Sequence, residues 1–425
     1  MPAEKVNTIT HGLSFPKRFL WGASISAHQV EGGNHNQWTV WELENAKSLA
    51  ARALYQYGDL ENWQDIKKLA TTPANYISGN AAYHHKLYAQ DFDMLQQLHM
   101  NAFRFSIEWS RLEPEEGAWN LDAVEYYKDY FAELKKRHIE PVVTLFHFTL
   151  PVWFAARGGF EHRGNIKYFV RYAEKVLELF GRDIKYIITV NEPDTYAFES
   201  YWLGAWPPQK TSRITALRVY NNLAVAHNKV AKMAHAKGRK YKLSVAKHMS
   251  FDYPGDDAKI TVWTVVLSAW FKDTYWLKKV KKQCDFLGVN YYFSHRYYGY
   301  RVHNPDERVN DMGWDMQPDN IQHVLEYAYE RYNLPIMVTE NGLADANDTS
   351  RKWWITQTVL GMQRAMKNGT DVIGYMHWSL LDNFEWDKGR WPRFGLAEVD
   401  YRTMQRTVRP SAHWFGGVVK KARDL

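Results

Sequence analysis

The chain has 425 residues, 45% hydrophobic and 24% charged, a composition that fits a folded globular protein and excludes disordered, collagen-like and coiled-coil classes. Its longest apolar stretch, Thr261 to Phe271, falls short of the roughly 20 residues of a membrane span, and the start MPAEKVNTITHGLSFPK has no apolar core or cleavage site, so neither a membrane nor an export signal is expected. The net charge of +7 lies in runs such as Lys278, Lys279, Lys281 and Lys282 that read as solvated helix faces rather than a nucleic-acid surface, and the single cysteine, Cys284, forbids an internal disulfide and fits the cytoplasm.

Eight short apolar segments rich in β-branched and aromatic residues read as buried strands. In chain order they are FLWGASISA from Phe19, NAFRFSIEW from Asn101, IEPVVTLFHF from Ile139, YIITVNEP from Tyr186, KLSVAKHMS from Lys242, DFLGVNYYF from Asp285, PIMVTENG from Pro335 and DVIGYMHWSLLD from Asp371. Helical patterns lie between them: Leu121, Val124, Phe131 and Leu134 follow Asn120 as N-cap, and Ile166 to Phe180 runs to Gly181 as C-cap. After one long first loop the units recur at spacings of about 36 to 56 residues, which predicts an α/β fold, a (β/α)8 (TIM) barrel, over the single domain 1–425.

Each strand ends in polar or aromatic groups: Gln29, Arg104 with Glu108, His147, Asn191 with Glu192, His248, Asn290 with Tyr292, Glu340 and Trp378. In a barrel these ends converge on the C-terminal rim, where active sites of this fold lie. Two glutamates there, Glu192 in TVNEPD and Glu340 in VTENGL, can do paired acid and nucleophile work on a glycosidic bond. That work needs one carboxyl protonated and the other ionised at the same pH. Arg104 and Tyr292 are candidates to hold one of them ionised. Aromatic residues make up 16% of the chain, enough to line a sugar cleft as well as fill a core.

Seven motifs in order carry a family resemblance: FLWGASISAHQVEG, FRFSIEWSR, VTLFHFTLP, TVNEP, DFLGVNYY, VTENG and WSLLDNFEW. From about Phe15 to about Trp414 the chain resembles glycoside hydrolase family 1, the β-glucosidase family. The resemblance implies a retaining β-glycosidase that removes terminal non-reducing β-D-glycosyl residues by double displacement. Glu192 matches the family's acid/base and Glu340 its nucleophile. Gln29, His147, Asn191, Glu385 and Trp386 match residues that bond the sugar hydroxyls, Trp378 the ring beneath the sugar, and Trp314 a tryptophan on the leaving-group side. Arg104, Asn290 and Tyr292 match groups around the nucleophile. The implied partners are small β-glucosides or oligosaccharides, with no nucleic acid, no membrane, no cofactor and no metal.

The chain departs from the family pattern at Thr149, where many members have Asp, and at DKGRWPRFG after Trp386, which brings Lys388 and Arg390. The segment from Phe251 to Cys284 is expected to form a trimmed loop on the leaving-group side. Lys388, Arg390 and Arg393 suggest a rival function, a 6-phospho-β-glycosidase, against which stands the charge of Glu385. A second rival is a non-catalytic sugar- or partner-binding barrel, which both glutamates oppose. The adjacent His84 and His85 lack metal-site spacing and read as structural or solvent groups, and His248 as a strand-end histidine. Asn347 and Asn368 fit the glycosylation pattern but are discounted for want of an export signal.

Overall fold

The computed structural model describes residues 14–238, 241–304 and 308–424. All eight expected strands form: β1 (Leu20–Ser24), β2 (Ala102–Ser106), β3 (Glu140–Thr144), β4 (Tyr186–Asn191), β5 (Lys242–His248), β6 (Leu287–Asn290), β7 (Ile336–Asn341) and β8 (Val372–Trp378). They close into one parallel barrel in which each strand pairs with its neighbours in the chain. β8 returns to β1, with Leu20 opposite Gly374 and Ser24 opposite Trp378. Alternate residues point to opposite faces of a strand. Ala102, Val142, Ile188, Ala246, Met337 and Met376 therefore fill the barrel, and Phe103, Val143, Ile187, Val245, Val338 and Tyr375 pack outward against the helices.

The helices start and stop where local chemistry dictates. Asn120 caps Leu121–Lys136 by accepting from the Asp122 and Ala123 amides. Ile166–Phe180 ends at Gly181, but with ordinary right-handed geometry rather than a left-handed cap. Glycine is needed there for space, since a Cβ would sit 2.4 Å from the Tyr241 hydroxyl. His84 is fully buried and bonds Asp91 and Tyr130, a structural role.

The segment after β5 is more than a loop. It forms a short strand, Phe251–Pro254, then a helix, Lys259–Ala269, that continues through Trp270–Thr274 into Tyr275–Val280. The apolar stretch noted in the sequence lies on this helix, with Trp263 and Leu267 exposed. Among the described residues no helix is long and apolar enough to cross a membrane.

Candidate active site

A cavity of about 460 Å³ opens at the C-terminal rim of the barrel. Gln29, His147, Asn191, Glu192, Tyr292, Trp314, Glu340, Trp378, Glu385 and Trp386 all line it. Arg104 and Asn290 are fully buried immediately behind this wall. Every site residue expected from the sequence is thus brought to one place.

Glu340, near the end of β7, pairs with Arg104 Nη1 through Oε1 and accepts a 2.7 Å hydrogen bond from the Tyr292 hydroxyl through Oε2. Burial and the Glu340 charge hold Tyr292 far above its ordinary pKa, so it stays a donor. Arg104 cannot swing away. Its Nε donates to Thr144 Oγ1, Nη1 to the Thr339 carbonyl and Nη2 to Asn191 Oδ1. Two residues on, a Cβ at Gly342 would meet the Trp378 carbonyl oxygen at 1.7 Å, so only glycine lets the chain leave β7 past β8.

Glu192 stands in the opposite environment. No cation pairs with it among the described residues; Oε1 accepts from Asn290 Nδ2 at 2.7 Å. Burial, then the nearby charge of Glu340, push its pKa up to about 8, so it is largely protonated at neutral pH. Its backbone adopts φ +38°, in the left-handed region, between β4 and helix Pro193–Tyr201. This sharp turn aims the carboxyl into the cavity, a strain held by the surrounding fold.

Asn290 differs from the expectation. Its amide contacts Glu192 and Asn191 rather than Glu340. The cause is local: the Thr339 hydroxyl donates to Asn290 Oδ1 at 2.6 Å, which turns the NH2 group toward β4.

The remaining groups suit a pyranose, which offers apolar faces and a rim of hydroxyls. The Trp378 and His147 rings stack at 5.9 Å, and burial with the nearby Arg104 charge keeps His147 neutral. Trp386 is wedged among Trp38, Trp206 and Phe148. Gln29 Nε2 donates to Glu385 Oε2 at 3.1 Å. Burial pushes Glu385 up to about 8, which Lys388 opposes. Phe148, Phe198, Glu199, Leu203, Trp206, His248, Phe293, Met312, Asp387 and Phe394 also line the cavity. Phe198 and Glu199 come from helix Pro193–Tyr201 and Leu203, Trp206, Met312, Asp387 and Phe394 from segments outside the motifs, while His248 was read only as a strand-end residue. Lys388 is held by Asp387 at 3.0 Å, and Asp387 also accepts from the Trp206 indole. Arg390 and Arg393 do not reach the cavity: Arg390 donates to the Ile77 and Ser78 carbonyls, and Arg393 to Asp382 and the Val399 carbonyl.

A family model described as "Glycosyl hydrolase family 1" matches residues 11–278 and 269–423. The chain belongs to glycosyl hydrolase family 1. It is therefore a glycoside hydrolase, and solved members superpose closely. A β-glycosidase from Pyrococcus horikoshii is 35% identical, covers 96% of this chain and of its own, and gives a TM-score of 0.84. A β-glucosidase from Thermotoga maritima in complex with glucoimidazole is 26% identical, covers 96% of this chain and 99% of its own, with a TM-score of 0.85. A 1,4-β-D-glucan glucohydrolase of Thermotoga neapolitana is 26% identical over 96% of this chain and 98% of its own length. These are full-length likenesses.

Proposed function

We propose that this family 1 member, reading residues 1–425 as one catalytic domain, removes terminal β-D-glycosyl residues from small β-glucosides or oligosaccharides with retention, with Glu340 as nucleophile and Glu192 as acid/base. The observation that carries this is the contrast between two carboxyls in one cavity. Glu340 is paired with Arg104 and accepts from Tyr292, whereas Glu192 has neutral partners, Asn290 and Thr195, and a pKa pushed up to about 8. In the first step Glu192 gives its proton to the glycosidic oxygen as Glu340 attacks the anomeric carbon. The ester removes the negative charge that raised Glu192, which then takes a proton from water in the second step. One residue thereby serves both steps.

In this reading Gln29, His147, Asn191, Glu385 and Trp386 bond the sugar hydroxyls, Trp378 lies beneath the sugar ring, and Trp314 borders the leaving group. The 6-phospho rival loses its support. Arg390 and Arg393 are spent on backbone carbonyls and Asp382 away from the cavity, and Lys388, which lines it, already has Asp387 as counter-ion. The lone cysteine favours the cytoplasm, which fractionation of the source cells would check. The decisive experiment is inactivation with a 2-deoxy-2-fluoroglucoside followed by peptide mapping. Label on Glu340 alone supports the assignment, and label on any other carboxyl refutes it.

A further inference from the structure

A charged cluster that this mechanism does not use reaches from the cavity wall, where Asp194 lies, into the helix layer behind it. Alternation along β5 turns Ala246 into the barrel and Lys247 outward, a position where apolar side chains normally meet the helix layer. Lys247 is fully buried. Its Nζ donates to Asp194 Oδ2 at 2.7 Å and to the His248 carbonyl at 2.8 Å, and Asp273 Oδ1 lies 3.6 Å away. Stability does not account for such a trio, because well-packed apolar replacements of buried ion pairs are often neutral or stabilising.

Its location points to another role. Asp194 occupies the first turn of helix Pro193–Tyr201, two residues after Glu192. The Glu192 amide donates to the Ala246 carbonyl at 2.8 Å, the residue beside Lys247. β5 thus grips the acid twice, at its own backbone and one half-turn further on. A glutamate at φ +38° needs that kind of restraint. The Asp194 charge also bears on Glu192 and favours its protonated form.

We propose that Lys247 and Asp194 are positioning residues for Glu192, an inference that rests on Glu192 being the acid: their buried ion pair clamps the first helical turn to β5 and fixes the direction of the carboxyl and the charge it faces. Several other groups surround the pair. Asp273 belongs to the Trp270–Thr274 turn, with Lys272 beyond it on Asp252 and His295 on the same carboxylate. His248 and the hydroxyls of Tyr220 and Tyr332 complete the surroundings, and Glu340, Tyr292, Asn290 and Thr195 face Glu192 itself. Burial holds Asp273 up to about 7 against the pull of Lys247, so the cluster gains this negative charge across neutrality.

Asp194→Asn is nearly isosteric and leaves Lys247 with Asp273. The test compares kcat/KM against pH for an alkyl glucoside, whose departure needs a proton, and a dinitrophenyl glucoside, whose departure does not. We expect kcat/KM at neutral pH to fall about tenfold for the alkyl glucoside and less than about threefold for the dinitrophenyl one. The alkaline limb for the alkyl glucoside should move down by about half a pH unit or more, because a negative charge near Glu192 is gone. Equal losses on both substrates with an unmoved limb would overturn the inference and leave a merely structural pair. If Asp194→Asn does not fold, the double variant Lys247→Met/Asp194→Leu removes both charges and must show the same split between substrates; equal losses there overturn it too. A Glu192→Gln enzyme that still cleaves the alkyl glucoside with the wild-type alkaline limb would instead sink the acid assignment beneath it.

Discussion

Glu192 should cost the empty enzyme stability at alkaline pH, and Glu192→Gln should recover it. A carboxyl with an ordinary pKa of 4.5 is raised to about 8 in the fold, chiefly by burial and then by Glu340. Between those values the unfolded chain has already released its proton and the folded chain has not. The folded state then binds more protons, so stability falls as pH rises from about 4.5 to about 8 and stays low above. The full shift corresponds to an upper limit of about 5 kcal/mol. Relaxation and water entry around an ionised Glu192 reduce this, and we expect about 2 kcal/mol. An amide keeps the Asn290 contact, since its oxygen accepts from Nδ2 as the carboxyl does. For a chain of this length 1 kcal/mol moves Tm by about 1 °C. Scanning calorimetry at matched scan rates should therefore show the variant about 2 °C more stable at pH 9 and level with wild type at pH 4.5. A difference that is the same at both pH values, or that shrinks as pH rises, would refute the linkage argument.

Three other outcomes are expected. Glu192→Ala should slow aryl glucosides with good leaving groups mainly at the second step, and added azide should restore turnover with β-glycosyl azide as product; absence of rescue counts against the acid/base role. Tyr292→Phe removes the 2.7 Å donor to Glu340 Oε2 and should lower kcat about a hundredfold without loss of fold, a loss of transition-state charge control readable by steady-state kinetics and circular dichroism. Because two carboxyls and water suffice for the chemistry, exhaustive chelation should leave activity unchanged, and a loss reversed by zinc or magnesium would contradict it.

The barrel was legible because each strand couples a β-branched run to a polar end, and that pattern survives in one dimension. The meeting of Glu192 and Glu340 in one cavity was legible for the same reason, since both directly follow such runs. Other features depend on contacts that no local pattern encodes. Asn290 turns toward Glu192 only because the Thr339 hydroxyl occupies its oxygen. Lys247 reads as a strand residue with an awkward charge, and its partners lie 53 and 26 positions away. Trp206 and Asp387, which meet across the cavity wall, stand 181 residues apart on segments without strand or helix periodicity. The segment after β5 failed as a loop for a different reason: its apolar run sits on a surface helix, where composition gives no sign of which face is covered.

The two glutamates are joined by a continuous chain of hydrogen bonds from Glu340 through Arg104, Asn191 and Asn290 to Glu192. Each intermediate member rests at or near the end of a different barrel strand. Arg104 is further tied to Thr144 and the Thr339 carbonyl, and Asn290 to the Thr339 hydroxyl. Because these links have partners on several sides, none gains by rotating when, in the proposed mechanism, Glu340 exchanges its charge for an ester bond. The change therefore reaches Glu192 through the field and not through movement, in a buried setting where a unit charge acts strongly over a few ångström. Fixed dipoles that need no reorganisation at the moment of reaction are the usual source of large rate enhancements. A (β/α)8 rim provides them cheaply, since rigid strands hold residues distant in sequence at one mouth while loops remain free to vary the leaving-group side.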